Sequence, residues 1–204
     1  ITRVIDGDTV QDYTGQSYRL LGLNTPEKKK PYYQEAKDFL IMEIENKTVE
    51  LLRDKEDVDK YKRKLRYVFY EGRLINVEIL EKGLATSFML EDLKYKDKFA
   101  NAEKFAEQNE LGLWKRGSNK CADCIKLLEL NYKEEFFIIK NSCGFDCDLN
   151  EWEVKDDANH FFILSDLRGG EERKYDSKID VWNNDGDRFF MRDGEGGLVV
   201  FYEY

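Results

Sequence analysis

Three short polar segments near the start of the chain carry residues whose types and spacing suit metal and phosphate chemistry. Residues 6–9 are Asp-Gly-Asp-Thr, residues 19–27 run from an arginine to a glutamate, and residues 59–66 are rich in lysine and arginine. Each segment alone is more often a turn or an exposed loop than a functional site, because short motifs match by chance. Their joint order and spacing indicate a shared site.

The first two segments offer oxygen ligands for a hard cation. If they form the arms of a β-hairpin, the Asp8 carboxylate, the Asn24 amide and the Thr25 backbone carbonyl can converge on one point. Oxygen donors with no histidine or cysteine close by in the sequence favour Ca²⁺ or Mg²⁺ over zinc. Glu27 is then a candidate base for an activated water.

Arginine and lysine side chains supply a complementary phosphate chemistry. Arg19 and Arg63 have planar guanidinium groups that match phosphate oxygens and stabilise negative charge as it develops. The lysines of residues 28–30 and 60–64 are interleaved with tyrosines, a combination that suits single-stranded nucleic acid. We expect such binding to weaken with salt.

The elements that must position these residues form a mixed α+β first half. Helical spacing of apolar residues predicts three helices: 32–46, 76–84 and 93–109. Alternating or β-branched residues predict four strands: 2–10, 17–23, 48–52 and 65–70. If the first strand bends into two at Gly7, five strands with a helix after the third predict a five-stranded OB-fold barrel.

The second half lacks helical periodicity and is predicted to be all-β. Turn signals such as Asp185-Gly186 and Asp193-Gly194 separate short strands, which favours an immunoglobulin-like β-sandwich. We therefore predict two domains, 1–115 and 120–204. The predicted strands of the second are 125–130, 135–140, 149–154, 160–164, 178–182, 187–192 and 198–202.

The negative charge of the chain is unevenly distributed between these halves. The 204 residues carry a formal charge of −9, which at first argues against a nucleic-acid partner. Residues 1–114 carry −2 of this charge and residues 115–204 carry −7, so the acidity does not exclude nucleic-acid binding by the first half. No apolar run approaches the ~18 residues of a membrane span.

At its polar segments the first half resembles the staphylococcal nuclease (thermonuclease) family. The resemblance implies an OB-fold and a Ca²⁺-dependent endo/exonuclease that cleaves DNA and RNA, favours single strands and leaves 3′-phosphates. The segments that match are 4–10, 18–22, 24–27, 59–61, 63, 83–85 and 111–114. The implied roles are Ca²⁺ binding by Asp8, Asn24 and the Thr25 carbonyl, phosphate binding by Arg19 and Arg63, water activation by Glu27, and terminal-phosphate binding by Lys60 and Tyr61.

The chain departs from this family at three places. Asn24 stands where the family commonly has aspartate, so we expect weaker Ca²⁺ affinity because one negative charge is missing. Lys62 stands where glycine is usual, so we expect a differently bent loop. The tyrosines that stack on the base have no clear match. Phe88 is the nearest candidate, with a core role as its alternative, and Tyr95 is a weaker one.

All four cysteines lie between residues 121 and 147 of the second half. Cys121, Cys124, Cys143 and Cys147 fit either disulfides or a structural Zn²⁺ site, and the sequence leaves both open. Around them the chain resembles the lamin-tail domain at residues 136–141, 148–152 and 181–187. That resemblance implies a binding or targeting module of unknown partner, and a stabilising appendage is the alternative.

Two further expectations concern function class and location. A non-catalytic OB-fold that only binds nucleic acid is the rival interpretation, but the joint presence of Asp8, Arg19, Glu27 and Arg63 argues against it. Because Ile1 lies directly in a strand-like pattern, we expect a mature or trimmed product. We expect an extracellular or cell-surface location, and the sequence leaves a cytoplasmic one open.

Overall fold

The computed structural model describes residues 1–88 and 92–204. It divides into two compact units, Ile1–Trp114 and Lys115–Tyr204. The first unit is a mixed α+β, OB-like domain. Its helices are α1 (Tyr33–Ile44), α2 (Ile75–Glu81) and α3 (Lys96–Gln108), followed by a 3₁₀ turn at Gly112–Trp114. Its strands are β1 (Arg3–Val4), β2 (Thr9–Gln11), β3 (Ser17–Leu20), β4 (Leu23–Asn24), β5 (Glu50–Leu52), β6 (Lys64–Tyr70), β7 (Arg73–Leu74) and β8 (Thr86–Ser87).

The strand order places the first unit's polar segments side by side. The main sheet runs β1-β2-β3-β6-β5, with β7 also pairing with β6, and β4 pairs separately with β8. The β3–β6 pair is parallel, whereas β2–β3 is antiparallel. The predicted helices are confirmed, with ends shifted by at most three residues. The break predicted around Gly7 falls in the gap between β1 and β2.

One apolar core explains why these elements form. The predicted face of α1 is buried, including Phe39, Leu40 and Ile44, and it shares a cluster with the strands and with Phe99 of α3. Gly22 (φ +78°) lies under that phenylalanine, and a Cβ there would stand 2.2 Å from its ring. Only glycine permits both the left-handed backbone and this close approach. The turn between β3 and β4 is therefore held against α3.

The second unit consists of two antiparallel sheets. Its strands are β9 (Ile125–Asn131), β10 (Phe136–Asn141), β11 (Glu153–Lys155), β12 (Phe161–Ile163), β13 (Glu172–Asp176), β14 (Arg188–Arg192) and β15 (Leu198–Glu203). The sheet orders are β13-β10-β9 and β12-β11-β14-β15. Phe137 of the first sheet meets Phe162 and Phe189 of the second at centroid distances of 5.1 and 5.3 Å, so the sheets share one core. The immunoglobulin-like identity of this unit stays a prediction.

One predicted strand of the second unit is wrong, and one observed strand was not predicted. Residues 178–182 form no strand, although Val181 and Trp182 are buried. A strand instead covers Glu172–Asp176, which pairs with β10 along one edge of its sheet. The sequence of that strand is highly charged and therefore resembles that of an exposed loop. An edge strand tolerates such a sequence, because its charged side chains can stay in solvent while its backbone pairs.

The cysteines form two disulfides, Cys121–Cys147 and Cys124–Cys143. Their Cα–Cα separations are 5.9 and 5.2 Å, within the range that disulfides adopt. The alternative of a structural Zn²⁺ at these cysteines is wrong, since no thiolate remains to bind a metal. Within residues 1–88 and 92–204 no helix has the length and apolar character needed to cross a membrane.

Candidate active site

Strand pairing brings the first unit's polar segments to one place. Asp8 directly precedes β2, Arg19 lies in β3, Asn24 ends β4 and Arg63 directly precedes β6. The antiparallel β2–β3 pair sets Thr9 opposite Arg19, and the Leu20 N–H donates to the Asp8 carbonyl at 2.8 Å. The parallel β3–β6 pair then places the residue before β6 beside the same two strands. The predicted hairpin is therefore the frame of this site.

Arg19 joins the two side chains predicted to bind a cation. Its Nη1 lies 2.6 Å from Asp8 Oδ2, and its Nη2 donates to Asn24 Oδ1 and, at 3.1 Å, to the Leu23 carbonyl. Asp8 and Asn24 are both buried. The side-chain oxygens of these two buried residues thus converge on one positive group, the Arg19 guanidinium.

Gly7 allows the Asp8 turn to press against Thr25. A Cβ on Gly7 would stand 2.7 Å from Ala36 Cβ and 2.9 Å from both Thr25 Cβ and Thr25 Oγ1. These distances are shorter than any real Cβ contact, so a larger residue would displace α1 or Thr25. The close approach keeps buried Thr25 next to the carboxylate-bearing turn.

Arg63 approaches the same carboxylate from the other side. Its Nη1 donates to Thr9 Oγ1 at 2.9 Å and lies 3.9 Å from Asp8 Oδ1, while the Thr9 hydroxyl donates to that Oδ1 at 2.8 Å. We call Arg19, Asp8, Thr9 and Arg63 the arginine–aspartate network. It holds two guanidinium groups at one oxygen-rich point, an arrangement suited to a phosphate with a nearby cation.

Asp59 holds the other edge of the Arg63 guanidinium. Its Oδ2 accepts from Arg63 Nε at 2.7 Å, and its Oδ1 accepts from the Tyr61 and Arg63 backbone N–H groups at 2.9 Å each. Burial alone would raise the pKa of Asp59, but these hydrogen bonds and the charge of Arg63 outweigh it and lower the pKa below its ordinary value. Asp59 therefore stays ionised beside the arginine.

A second carboxylate, Asp6, lies beside the network. Its side-chain oxygen accepts from the Asp8 N–H at 3.1 Å. Burial raises the pKa of Asp6, and the neighbouring charge of Asp8 raises it further. In residues 1–88 and 92–204 no three histidine, cysteine, aspartate or glutamate side chains group closely enough to hold a metal. Metal binding here would need the Asn24 amide and a backbone oxygen in addition to Asp8.

The similarity of this chain to known proteins lies mainly in the first unit. The family model described as "Staphylococcal nuclease homologue" matches residues 17–116. The "Thermonuclease" of Staphylococcus hyicus is 35% identical over 124 residues, which span 56% of this chain and 73% of that protein. The chain belongs to the staphylococcal nuclease family.

Other members of the family show similar likeness. The "Thermonuclease" of Staphylococcus intermedius is 36% identical over 126 residues, covering 57% of this chain and 75% of that protein. The "Endonuclease YncB" of Bacillus subtilis (strain 168) is 34% identical over 140 residues, covering 59% of this chain and 66% of that protein. The staphylococcal nuclease match ends two residues into the second unit, so the rest of that unit, residues 117–204, lies outside it.

Three further predicted residues of this staphylococcal nuclease domain, Glu27, Lys60 and Tyr61, make no side-chain hydrogen bond to the network among the described residues. Glu27 is exposed three residues after Asn24, and its carboxylate makes no hydrogen bond or ion pair within residues 1–88 and 92–204. Tyr61 is 68% exposed, and Lys60 Nζ and Arg63 Cζ lie 5.2 and 5.4 Å from its ring centroid. The Tyr61 ring is thus open to solvent on a basic loop.

The two base-stacking candidates differ in their surroundings. Phe88 is half-buried directly after β8, and its backbone N–H donates to the Gly22 carbonyl at 2.9 Å. The antiparallel β4–β8 register pairs Asn24 with Thr86, so Phe88 continues the ladder opposite Gly22, two residues before Asn24. Tyr95 packs at centroid distances of 4.7 Å on Tyr67 and 5.9 Å on Phe69, so it belongs to the aromatic edge of the core.

Sequence reasoning missed Thr9 and Asp59 as members of the site. The Thr9 hydroxyl accepts a hydrogen bond from Arg63, which lies 54 positions away in the sequence, a link that no local pattern reveals. Asp59 had a visible signal, because an aspartate four residues before an arginine and at the start of a polar loop is typical of a side-chain-stabilised turn. Both residues determine where Arg63 points.

Proposed function

We propose that this chain is a Ca²⁺-dependent nuclease that hydrolyses phosphodiester bonds of DNA and RNA, within strands and from their ends. We propose that it favours single strands and leaves 3′-phosphates. The observation that carries the proposal is the arginine–aspartate network, in which two guanidinium groups flank one buried carboxylate. Membership of the staphylococcal nuclease family supports it. We assign this activity to residues 1–115.

The residues present fit a calcium ion. The donors are oxygens only, from the Asp8 carboxylate, the Asn24 amide and the backbone at Thr25, which is the ligand chemistry of hard cations. Asp8 and Asn24 already share one cationic partner in Arg19, so their oxygens point to a common position. A bound Ca²⁺ would supply charge neutralisation at the phosphate and a more acidic water.

Each remaining residue of the site has a defined task in this proposal. The exposed Glu27 carboxylate accepts a proton from the attacking water, because it has no internal partner that would compete for it. Asp59 and Thr9 hold Arg63 at Nε and Nη1, which leaves its Nη2 to donate to a phosphate oxygen. Negative charge grows on that oxygen as the water oxygen bonds to phosphorus, and a fixed guanidinium stabilises it. The P–O5′ bond then breaks, the 3′-phosphate keeps the water oxygen, and the departing 5′-oxygen takes a proton from solvent. Arg19 binds a second phosphate oxygen.

The basic loop before β6 provides the binding surface for the strand. Lys60 and Tyr61 are proposed to hold a terminal phosphate, and Phe88 is proposed to stack on a base. Exposed aromatic rings together with lysines bind single strands through stacking and backbone charge, with little sequence preference.

For the second unit we propose a lamin-tail-like binding or targeting module over residues 120–204. Its two sheets around buried Trp152 and Trp182 support an independent sandwich of this type. The two disulfides support an extracellular or cell-surface location, since such bonds persist in oxidising compartments.

Digestion of single-stranded DNA and RNA with Ca²⁺ or with a chelator tests the proposed activity. We expect cleavage that requires Ca²⁺, and we expect Glu27→Gln to lose most turnover while it still binds the strand. The matched control is Glu107→Gln, an exposed glutamate in α3 outside the network. Binding without Ca²⁺-dependent cleavage would instead support the rival interpretation of a non-catalytic OB-fold protein.

A further inference from the structure

We infer that the Thr9 hydroxyl is a positioning group that keeps Arg63 off the Asp8 carboxylate and so keeps both available for their ligands. This inference rests on the proposed function of the network. Thr9 is the first residue of β2 and is only 5% exposed, so its hydroxyl lies inside the site.

The geometry shows that the hydroxyl stands between two opposite charges. It donates its single proton to Asp8 Oδ1 at 2.8 Å and accepts from Arg63 Nη1 at 2.9 Å. The guanidinium and carboxylate atoms themselves are 3.9 Å apart. Arginine and carboxylate groups in direct contact approach to about 2.7–2.9 Å. Arg19 makes such a direct contact, at 2.6 Å, with the other oxygen of Asp8. Thr9 is therefore a spacer as well as a link.

Loss of the spacer has a specific consequence. Valine has nearly the shape of threonine and favours a strand, but it neither donates nor accepts a hydrogen bond. In Thr9→Val the Arg63 guanidinium loses its Nη1 partner while Asp59 still holds Nε. The guanidinium can then turn toward Asp8 Oδ1, because opposite charges in a largely buried site attract strongly. Arg63 would cover an oxygen that the cation needs.

The partners of the Asp8 carboxylate explain why the network needs Thr9. Asp8 accepts from Arg19 at Oδ2 and from Thr9 at Oδ1, and the Asp6 carboxylate lies beside both Asp8 and Thr9. A neutral hydroxyl at Oδ1 leaves more negative charge on the carboxylate than a second guanidinium would. Ca²⁺ affinity should therefore depend on Thr9 even though Thr9 is no ligand.

The test measures Ca²⁺ affinity by calorimetry on the full chain without nucleic acid, and kcat and KM on single-stranded DNA. For Thr9→Val we expect Ca²⁺ affinity to fall about three- to tenfold and kcat to fall about tenfold, the scale of one charge-assisted hydrogen bond. Thr9→Ser keeps the hydroxyl and should stay within about twofold of the unchanged chain in both measurements. Far-UV circular dichroism and thermal unfolding check that each variant is folded.

A double-mutant cycle separates positioning from a general structural effect. In an Arg63→Met background there is no guanidinium to hold, so Thr9→Val should cause little further loss of kcat or Ca²⁺ affinity. Losses that add in the double variant would overturn the inference, as would unchanged Ca²⁺ affinity and kcat in folded Thr9→Val. If the unchanged chain binds Ca²⁺ but cleaves nothing, the proposed function fails. The Ca²⁺ affinities of the variants, measured by calorimetry, still test the positioning role of Thr9.

Discussion

Replacement of Lys62 by glycine should make the first unit more stable. Lys62 has φ +64°, in the left-handed region that residues with a Cβ adopt only at a cost of roughly 1–2 kcal/mol. Its N–H donates to the Asp59 carbonyl at 2.9 Å, so the loop must turn here to return Arg63 to Asp59. Glycine takes this conformation without that cost.

The expected gain is smaller than the strain itself. Glycine also increases the conformational entropy of the unfolded chain, which costs about 0.4–1 kcal/mol. The free energy of unfolding of Lys62→Gly should therefore rise by about 0.5–1 kcal/mol, equivalent to about 2–5 °C in the melting temperature of a domain this size. The side chain makes no ion pair within residues 1–88 and 92–204, so its removal should subtract little.

Lys60→Gly is the matched control, because it removes the same side chain two residues earlier where the backbone is not left-handed. We expect it to lower the free energy of unfolding by about 0.5–1 kcal/mol. Urea unfolding of the full chain, with hydrogen exchange read in β6 and α2, reports on the first unit. Equal destabilisation by the two substitutions would refute the reasoning, since it would mean that Lys62 carries no backbone strain.

Three further predictions follow from individual contacts. Asn24→Asp should tighten Ca²⁺ binding about tenfold, because affinity rises with the charge of the ligand set; unchanged affinity by calorimetry would show that residue 24 is no ligand. The Thr14 hydroxyl and other donors lower the pKa of Asp12 to about 2, so the stabilisation from this carboxylate is present above pH about 4 and is lost as the pH falls through 2. A carbon-13 NMR titration should show that pKa, and Thr14→Ala should raise it. Cys124→Ser with Cys143→Ser opens a bridge between residues 19 positions apart and should cost the second unit about 2–4 kcal/mol, whereas hydrogen exchange in the first unit should not change.

Local patterns predicted much of this fold because apolar spacing specifies a helix or strand without knowledge of its partner. The buried face of α1, with Phe39, Leu40 and Ile44, has helical spacing in the sequence itself. The strand Glu172–Asp176 could not be found this way. Its formation depends on backbone pairing with β10, which charged side chains do not signal.

The candidate site likewise has one part that local sequence patterns predict and another that depends on long-range contacts. The hairpin register places Asp8 beside Arg19 and follows from the alternation of nearby residues, so that part was predictable. The contact from Arg63 to Thr9 depends on the pairing of β3 with β6 and on two side-chain rotamers. The cysteine chemistry was open for another reason, because both disulfides and zinc fit spacings of three and four residues.

The central claim is that water attacks phosphorus at the arginine–aspartate network in a Ca²⁺-dependent way. The most direct measurement is mass spectrometry of the products from a single-stranded oligonucleotide cleaved with Ca²⁺ in oxygen-18 water. We predict 3′-phosphates that carry one oxygen-18 atom, no cleavage with chelator, and a loss of product in Glu27→Gln. Products with 5′-phosphates, or cleavage that persists in chelator, would contradict it.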